Sequence, residues 1–156
     1  MDDLFESPWR YVLDSSALID LKKDYPPEVF GGVWNRLNTA CEKFEIISVR
    51  EVYNEIMRGS DWLLDWVEKH KKMFIEHSPE ELQMIRELMD NNEGWIDPTG
   101  MRPAADPFVI ACAHHRKLII IQQELPHRML PTIARKMKIV CVRLPELFVR
   151  EKWEFK

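Results

Sequence analysis

The sequence lacks the features that are typical of membrane, secreted and disulfide-rich proteins. No apolar run approaches the roughly 20 residues that a bilayer span needs, and the opening MDDLFESPWR is acidic and lacks the apolar core of a signal peptide. The three cysteines lie far apart and show neither disulfide nor zinc-ligand spacing. We therefore expect no membrane partner, a cytoplasmic location and buried, reduced thiols.

Linkers, internal repeats and low-complexity tracts are also absent, which predicts a single domain over residues 1–156. The net charge of −4 argues against a protein whose whole surface is basic and binds nucleic acid, but the charge is unevenly distributed along the chain. Residues 116–156 hold 10 Lys and Arg against 4 Asp and Glu, whereas the preceding residues hold 12 against 22. A basic face beside an acidic pocket and a merely solvated basic tail both explain this asymmetry.

Short apolar segments alternate with helical patterns along the chain. The strands are predicted at residues 10–13, 45–49, 117–122 and 138–142. The helices are predicted at residues 15–23, 33–44, 50–59, 60–74, 78–92, 105–115 and 144–153, with an irregular stretch over 91–104. This alternation predicts an α/β fold, a three-layer α/β/α sandwich with a mostly parallel central sheet.

Acidic residues follow the predicted strands at the edge where parallel sheets bind ligands. Asp14 comes directly after the first strand, and Glu124 comes two residues after the strand at 117–122. Asp106 opens the helix before that strand, and Glu51 and Glu55 share one helix face after the second strand. Like charges at close range are unfavourable unless a cation lies among them. Mg²⁺ and Mn²⁺ take oxygen ligands, so this edge is a candidate metal site.

Each of these acids also has an ordinary structural interpretation. Asp14 and Asp106 both stand where an N-cap residue would stabilise a helix by about 1 kcal/mol. Glu51 and Glu55, taken alone, are typical of a solvated helix face. No single residue decides between capping and metal binding.

The order of four motifs carries more information than any single residue. These motifs are YVLDSSALI, ISVREVYNEI, AADPFVIACA and LIIIQQE, and in this order the chain resembles the PIN-domain nucleases. The resemblance covers about residues 10–148, and RLPELF fits the closing strand and helix of that family. Within it, the chain looks most similar to single-domain bacterial and archaeal proteins, which include VapC-type toxins of toxin–antitoxin pairs. A PIN-like fold is therefore expected, with residues about 60–102 as a helical insertion.

The resemblance implies roles for particular acids. Asp14, Glu55 and Asp106 match the three core metal-binding acids, and Ser16 matches a frequent supporting residue. Glu51 lies one turn from Glu55 and is the ligand instead if the alignment is shifted by that turn.

The fourth acidic position departs from the family pattern. The family often has Thr/Ser-x-Asp there, whereas this chain has 122–124 as Gln-Gln-Glu. Glu124 can still bind a metal with its longer reach, but the hydroxyl that would support a second metal is missing.

The function implied by the resemblance is a ribonuclease that depends on Mg²⁺ or Mn²⁺ and hydrolyses phosphodiester bonds by metal-activated water. Arg128, Arg135 and Lys136 would hold the nucleic-acid backbone. RNA is the implied substrate, and a cognate antitoxin and a homodimer are the further partners that the resemblance admits.

Two alternatives remain open at this point. Aspartyl-phosphate folds also place Asp after an apolar strand, but those phosphatases need Asp-x-Asp where this chain has Asp14-Ser15-Ser16. The second alternative is a PIN-like protein with weak or no catalysis that acts as an RNA- or protein-binding module, because its fourth acidic position is altered.

Overall fold

The computed structural model of the chain describes residues 7–59, 61–92 and 104–155. Its centre is a five-stranded sheet in the order β3-β2-β1-β4-β5, and every pair of neighbours is parallel. The strands are β1 Tyr11–Leu13, β2 Ile46–Val49, β3 Phe74–Ile75, β4 Ile119–Ile121 and β5 Cys141–Val142. Because every residue of β1 and β2 is buried, both faces of the sheet are covered by helices. The prediction of a three-layer α/β sandwich with a parallel sheet is confirmed.

Helices occupy most of the remaining described residues. They are α1 Ser15–Asp24, α2 Gly31–Glu42, α3 Arg50–Met57, α4 Leu63–Lys69, α5 Pro79–Asn91, α6 Asp106–Arg116, α7 Met129–Lys136 and α8 Leu144–Arg150. One cluster of buried apolar residues takes members from all five strands and packs the helices onto the sheet. In the described part of the chain, no helix has both the length and the apolar character that a membrane crossing requires.

Two elements differ from the sequence-based prediction. The helix predicted over 60–74 ends at Lys69, and Phe74–Ile75 instead forms β3, which pairs with β2. The sequence pattern predicts no helix between the last two strands, yet α7 lies there. The proline at 131 disfavours a helix when the sequence is read alone. In the structure Pro131 lies in the first turn of α7, where a proline breaks no internal hydrogen bond.

The segment predicted as a helical insertion contributes to both the sheet and the core. Its strand β3 forms one edge of the sheet, and α4 buries Leu63, Trp66 and Val67 in the main core. The irregular stretch predicted for 91–104 lies largely outside the described residues.

The strand order places a topological switch point beside the central strand. The chain builds β1, β2 and β3 outward in one direction and then returns to place β4 on the opposite side of β1. Ligand sites in parallel sheets form at the carboxyl ends of the strands at such a switch point. Asp14 and Glu124 follow β1 and β4, the two strands that define it.

Candidate functional site

Asp14 both extends the sheet and caps a helix. Its backbone N–H donates to the carbonyl of Ile121 at 2.9 Å, continuing the pairing of β1 with β4. Its Oδ2 accepts from the backbone N–H of Ser16 at 3.2 Å and from the Ser16 hydroxyl at 2.6 Å. The capping interpretation of Asp14 is therefore confirmed, and it uses only one carboxylate oxygen.

The other oxygen of Asp14 is the unusual feature of the site. Asp14 is only 1% exposed, and its Oδ1 is buried without a hydrogen-bond partner among the described residues. Burial raises the pKa of Asp14 to about 6, against the lowering effect of the Ser16 hydrogen bonds. The negative charges of Glu55 and Glu124 raise this pKa further.

Glu55 is held by hydrogen bonds from two other segments. Its Oε2 accepts from the hydroxyl of Ser15 at 2.7 Å, and its Oε1 accepts from the backbone N–H of Ala105 at 2.9 Å. These bonds tie α3 to the start of α1 and to the residue before α6. The side chain is thereby fixed beside Asp14 at the switch point.

Glu51 faces a different part of the molecule. Its Oε1 bonds to Nε2 of His77 at 2.6 Å, and the other ring nitrogen of His77 faces Glu81 Oε2 at 3.2 Å. Glu81 is buried and also accepts from Arg116 Nε at 2.7 Å. Of the two predicted alternatives, Glu55 lies at the acidic site and Glu51 belongs to this separate buried cluster.

Glu124 follows a turn whose side chains are used structurally. The buried side chain of Gln122 accepts from the backbone N–H of Glu124 at 2.6 Å through Oε1. A Ser or Thr hydroxyl makes the same kind of bond to the N–H two residues later. Gln122 therefore supplies the local turn bond that the missing hydroxyl would make.

Gln123 anchors this turn to two helices. Its backbone N–H donates to the Ser16 hydroxyl oxygen at 3.0 Å, and its Nε2 donates to Asp20 Oδ2 at 3.2 Å. Its Oε1 accepts from the backbone N–H of Leu144 at 2.7 Å, at the first residue of α8. The Ser16 hydroxyl thus bridges Asp14 and the Glu124 turn.

Asp106 lies at the start of α6 but does not precede it. The helix begins at Asp106 itself, and Ala105 occupies the N-cap position without a side-chain cap bond. The prediction that Asp106 is the N-cap is therefore wrong, because Ala105 already has helical backbone angles. Asp106 is half-buried, and it directly follows Ala105, whose backbone N–H donates a hydrogen bond to Glu55.

The acids of the described residues do not form a complete coordination shell. Over residues 7–59, 61–92 and 104–155, no three His, Cys, Asp or Glu side chains form a group that could hold a metal ion. Glu55 and Glu124 each act electrostatically on Asp14, but the oxygens of Glu55 are directed to Ser15 and Ala105.

The predicted basic residues all lie on or next to α7. Arg128 immediately precedes this helix, and Arg135 and Lys136 occupy its last turn, all three exposed. Arg135 also lines a cleft of about 210 Å³ that Glu124 and Gln122 line as well. Arg135 is thus the one of the three that the structure brings to the same cleft as a site acid.

Arg143 is a site residue that the sequence analysis did not select. Its Nη1 donates to the carbonyls of Gln123 and Glu124 at 3.4 and 3.1 Å, and its side chain lines the same cleft. The signal was present, because Arg143 follows β5 directly, as Asp14 follows β1. The residues predicted for the ends of the strands, Asp14 and Glu124, are acids, whereas Arg143 is a base.

The fold and the site define an α/β protein with an acidic centre at the switch point of a parallel sheet. The model of the family described as "Domain of unknown function (DUF4411)" matches residues 11–155, so the chain belongs to that family. A search of curated proteins finds no match to this sequence.

Proposed function

We propose that this chain is a PIN-like nuclease that hydrolyses phosphodiester bonds in RNA with a divalent metal ion. The observation that carries the proposal is the buried Oδ1 of Asp14, which lacks a partner among the described residues, on a carboxyl group whose pKa the charges of Glu55 and Glu124 help to raise. A buried, unpaired carboxylate oxygen is costly in a protein interior. A cation would offset that cost and the repulsion from Glu55 and Glu124.

The chemistry of the donor set fits Mg²⁺ or Mn²⁺. All candidate ligands are carboxylates, and these ions are held by one or two carboxylates plus water. Asp14, Glu55, Asp106 and Glu124 would hold the ion, which would supply a Lewis acid and an activated water. Within residues 7–59, 61–92 and 104–155 the carboxylate of Glu124 makes no hydrogen bond, since only its backbone N–H and carbonyl are bonded, and its two methylene groups allow it to turn toward Asp14.

The neighbouring residues orient these acids. Ser16 fixes the side chain of Asp14 through Oδ2 and leaves Oδ1 available, while Ser15 and the Ala105 N–H hold Glu55. Arg135 and Arg143 add positive charge beside the acidic site, which favours the approach of a polyanionic strand.

Substitution at the start of α6 tests the proposal. Asp106→Asn should lower RNA cleavage in Mn²⁺ by about 100-fold or more while the thermal unfolding midpoint stays near that of wild type. Asp65→Asn is the matched control, since Asp65 is exposed in the first turn of α4. Cleavage by Asp106→Asn at the wild-type rate would remove Asp106 from the site.

A second candidate function is a PIN-like binding module with weak or no catalysis. It is favoured by the absence of a three-ligand group among the described side chains. This alternative predicts that wild-type protein binds RNA without cleaving it at millimolar Mg²⁺ and Mn²⁺. A toxin role, an antitoxin partner and a homodimer remain predictions of the resemblance.

A further inference from the structure

A cleft of about 210 Å³ opens directly beside Glu124, between α7 and α8. Its walls are largely apolar and are formed by Pro126, Pro131, Ile139 and Cys141. Polar groups enter from Gln122, Glu124, Arg135, Arg143 and Glu146. The cleft is smaller than the 300–1,000 Å³ typical of pockets for drug-sized ligands, so its volume suits a single small group, such as one base.

The two arginines of the cleft are each held by one nitrogen. Arg143 uses Nη1 to bond the carbonyls of Gln123 and Glu124, and Arg135 uses Nη2 to bond the carbonyl of Pro126 at 3.0 Å and, more weakly, Thr132. The remaining N–H groups of both guanidinium ions make no hydrogen bond within the described residues. Two positioned cations therefore keep free donors at the cleft.

Carboxylates in the cleft keep free acceptors as well. Oε1 of Glu146 accepts from the backbone N–H of Arg143 at 3.3 Å, and no bond to its Oε2 occurs in the described part of the chain. No ion pair between described residues joins Arg135 or Arg143 to Glu124 or Glu146. Donors and acceptors that no described residue pairs thus line the same cleft as its apolar residues.

This combination fits a nucleobase better than a phosphate. An anion would meet the charges of Glu124 and Glu146, whereas a base presents apolar faces to the walls and a mixed edge to the polar groups. Guanine offers O6 and N7 to arginine, and its N1–H and N2–H groups can donate to a carboxylate. Single-stranded RNA is commonly recognised through such unstacked bases.

We propose that this cleft binds a guanine base of the RNA strand adjacent to the scissile phosphate. Glu146 is then the specificity-determining residue that accepts from the base, and Arg143 donates to it while holding the Glu124 turn. The position next to the cleaved bond rests on the proposed nuclease function, but base binding itself can be measured without cleavage.

Binding is tested by titrating ¹⁵N,¹³C-labelled full-length protein with guanosine 5′-monophosphate, adenosine 5′-monophosphate and ribose 5-phosphate. The guanine nucleotide should shift the signals of Ile139 and Cys141 and bind more tightly than the other two ligands. Glu146→Gln should weaken its binding about fivefold or more. Glu28→Gln, in an exposed loop outside the cleft, should leave binding unchanged.

Equal shifts from all three ligands, or no shift in the cleft, would overturn the proposal. A response to ribose 5-phosphate that matches the nucleotides would identify a phosphate site instead of a base site.

Cleavage of RNAs that carry guanine or adenine at a single unpaired position provides the second measurement. The ratio of kcat/KM for guanine over adenine should fall about fivefold or more in Glu146→Gln and stay constant in Glu28→Gln. Cleavage without base preference in both wild type and Glu146→Gln would overturn the base cleft and leave the nuclease proposal intact. A selective guanosine response without any cleavage would support the cleft and overturn the nuclease.

Discussion

The hydroxyl of Ser15 donates to Oε2 of Glu55 at 2.7 Å, joining two residues forty positions apart in the chain. Because Ser15 is the first residue of α1, this bond brings α3 to the point where β1 ends. The second oxygen of Glu55 accepts from Ala105 before α6. Three separate segments therefore meet at one carboxylate, next to the buried charge of Asp14.

If the protein is the proposed nuclease, this arrangement predicts that Glu55 and not Glu51 is the acid needed for cleavage. Glu55→Gln should lower RNA cleavage by about 100-fold or more, because the amide removes the negative charge at the acidic site. Glu51→Gln, one helical turn away, should retain cleavage within about tenfold of wild type, since Glu51 is bonded to His77. Initial rates of both variants decide the question, and the opposite ranking would show that Glu51 is the site acid.

The buried carboxyl of Asp14 predicts a pH-dependent stability of the metal-free protein. Its folded pKa of about 6 exceeds the ordinary value of 3.8, so between these values the folded state binds more protons than the unfolded state. The free energy of unfolding therefore falls as pH rises through this window. Above it, the Asp14 carboxyl causes no further change.

Asp14→Asn removes this titration. In the presence of chelator, the stability of Asp14→Asn relative to wild type should increase by about 2 kcal/mol between pH 4.5 and 7.5. Urea unfolding at the two pH values measures the change. An equal difference at both values would mean that Asp14 does not titrate abnormally.

The hydrogen bond from the Glu124 N–H to the Gln122 side chain can be removed by one substitution and restored by another. Gln122→Ala should cost about 1–3 kcal/mol, because the backbone N–H of Glu124 loses its partner. It should also raise the Mn²⁺ concentration needed for half-maximal cleavage, since the position of Glu124 is no longer fixed. Gln122→Thr supplies a hydroxyl acceptor and should bring the Mn²⁺ concentration for half-maximal cleavage back close to that of wild type. An unchanged half-maximal concentration in Gln122→Ala would exclude a positioning role for Gln122.

A buried cluster away from the site predicts a second pH effect. Burial lowers the pKa of His77, but the hydrogen bonds and charges of Glu51 and Glu81 outweigh burial and raise it above 6.5. A raised histidine pKa stabilises the fold fully below the unfolded pKa, and this contribution is lost as pH rises through the folded pKa. His77→Gln should therefore destabilise the protein by about 1–3 kcal/mol at pH 6 and by less at pH 9.

His127→Gln is the matched control for this measurement, because His127 is exposed in the loop before α7. If His77→Gln costs the same at both pH values, the ring contributes by packing and not by charge.

The strand ends were the part of the site that the sequence could predict. Short apolar strands indicate a parallel sheet, and a parallel sheet directs attention to the residues after each strand. This reasoning found Asp14 and Glu124 without side-chain geometry. It missed Arg143, which stands in the same position after β5.

The choice between Glu51 and Glu55 could not be made from spacing. They are four residues apart on α3, and the decision depends on Ser15, Ala105 and His77, which are distant in sequence. The role of Gln122 was hidden for the same reason, since its bond to Glu124 depends on the path of the turn.

Thermal unfolding with and without Mn²⁺ tests the central claim most directly, because it needs no knowledge of the RNA. Mn²⁺ at a hundredfold excess over its dissociation constant should stabilise wild type by about 2.7 kcal/mol at pH 7.5. Asp65→Asn should respond as wild type does, and Asp14→Asn should not respond. No response of wild type at millimolar Mn²⁺, or an equal response of Asp14→Asn, would contradict a metal site built on the buried oxygen of Asp14.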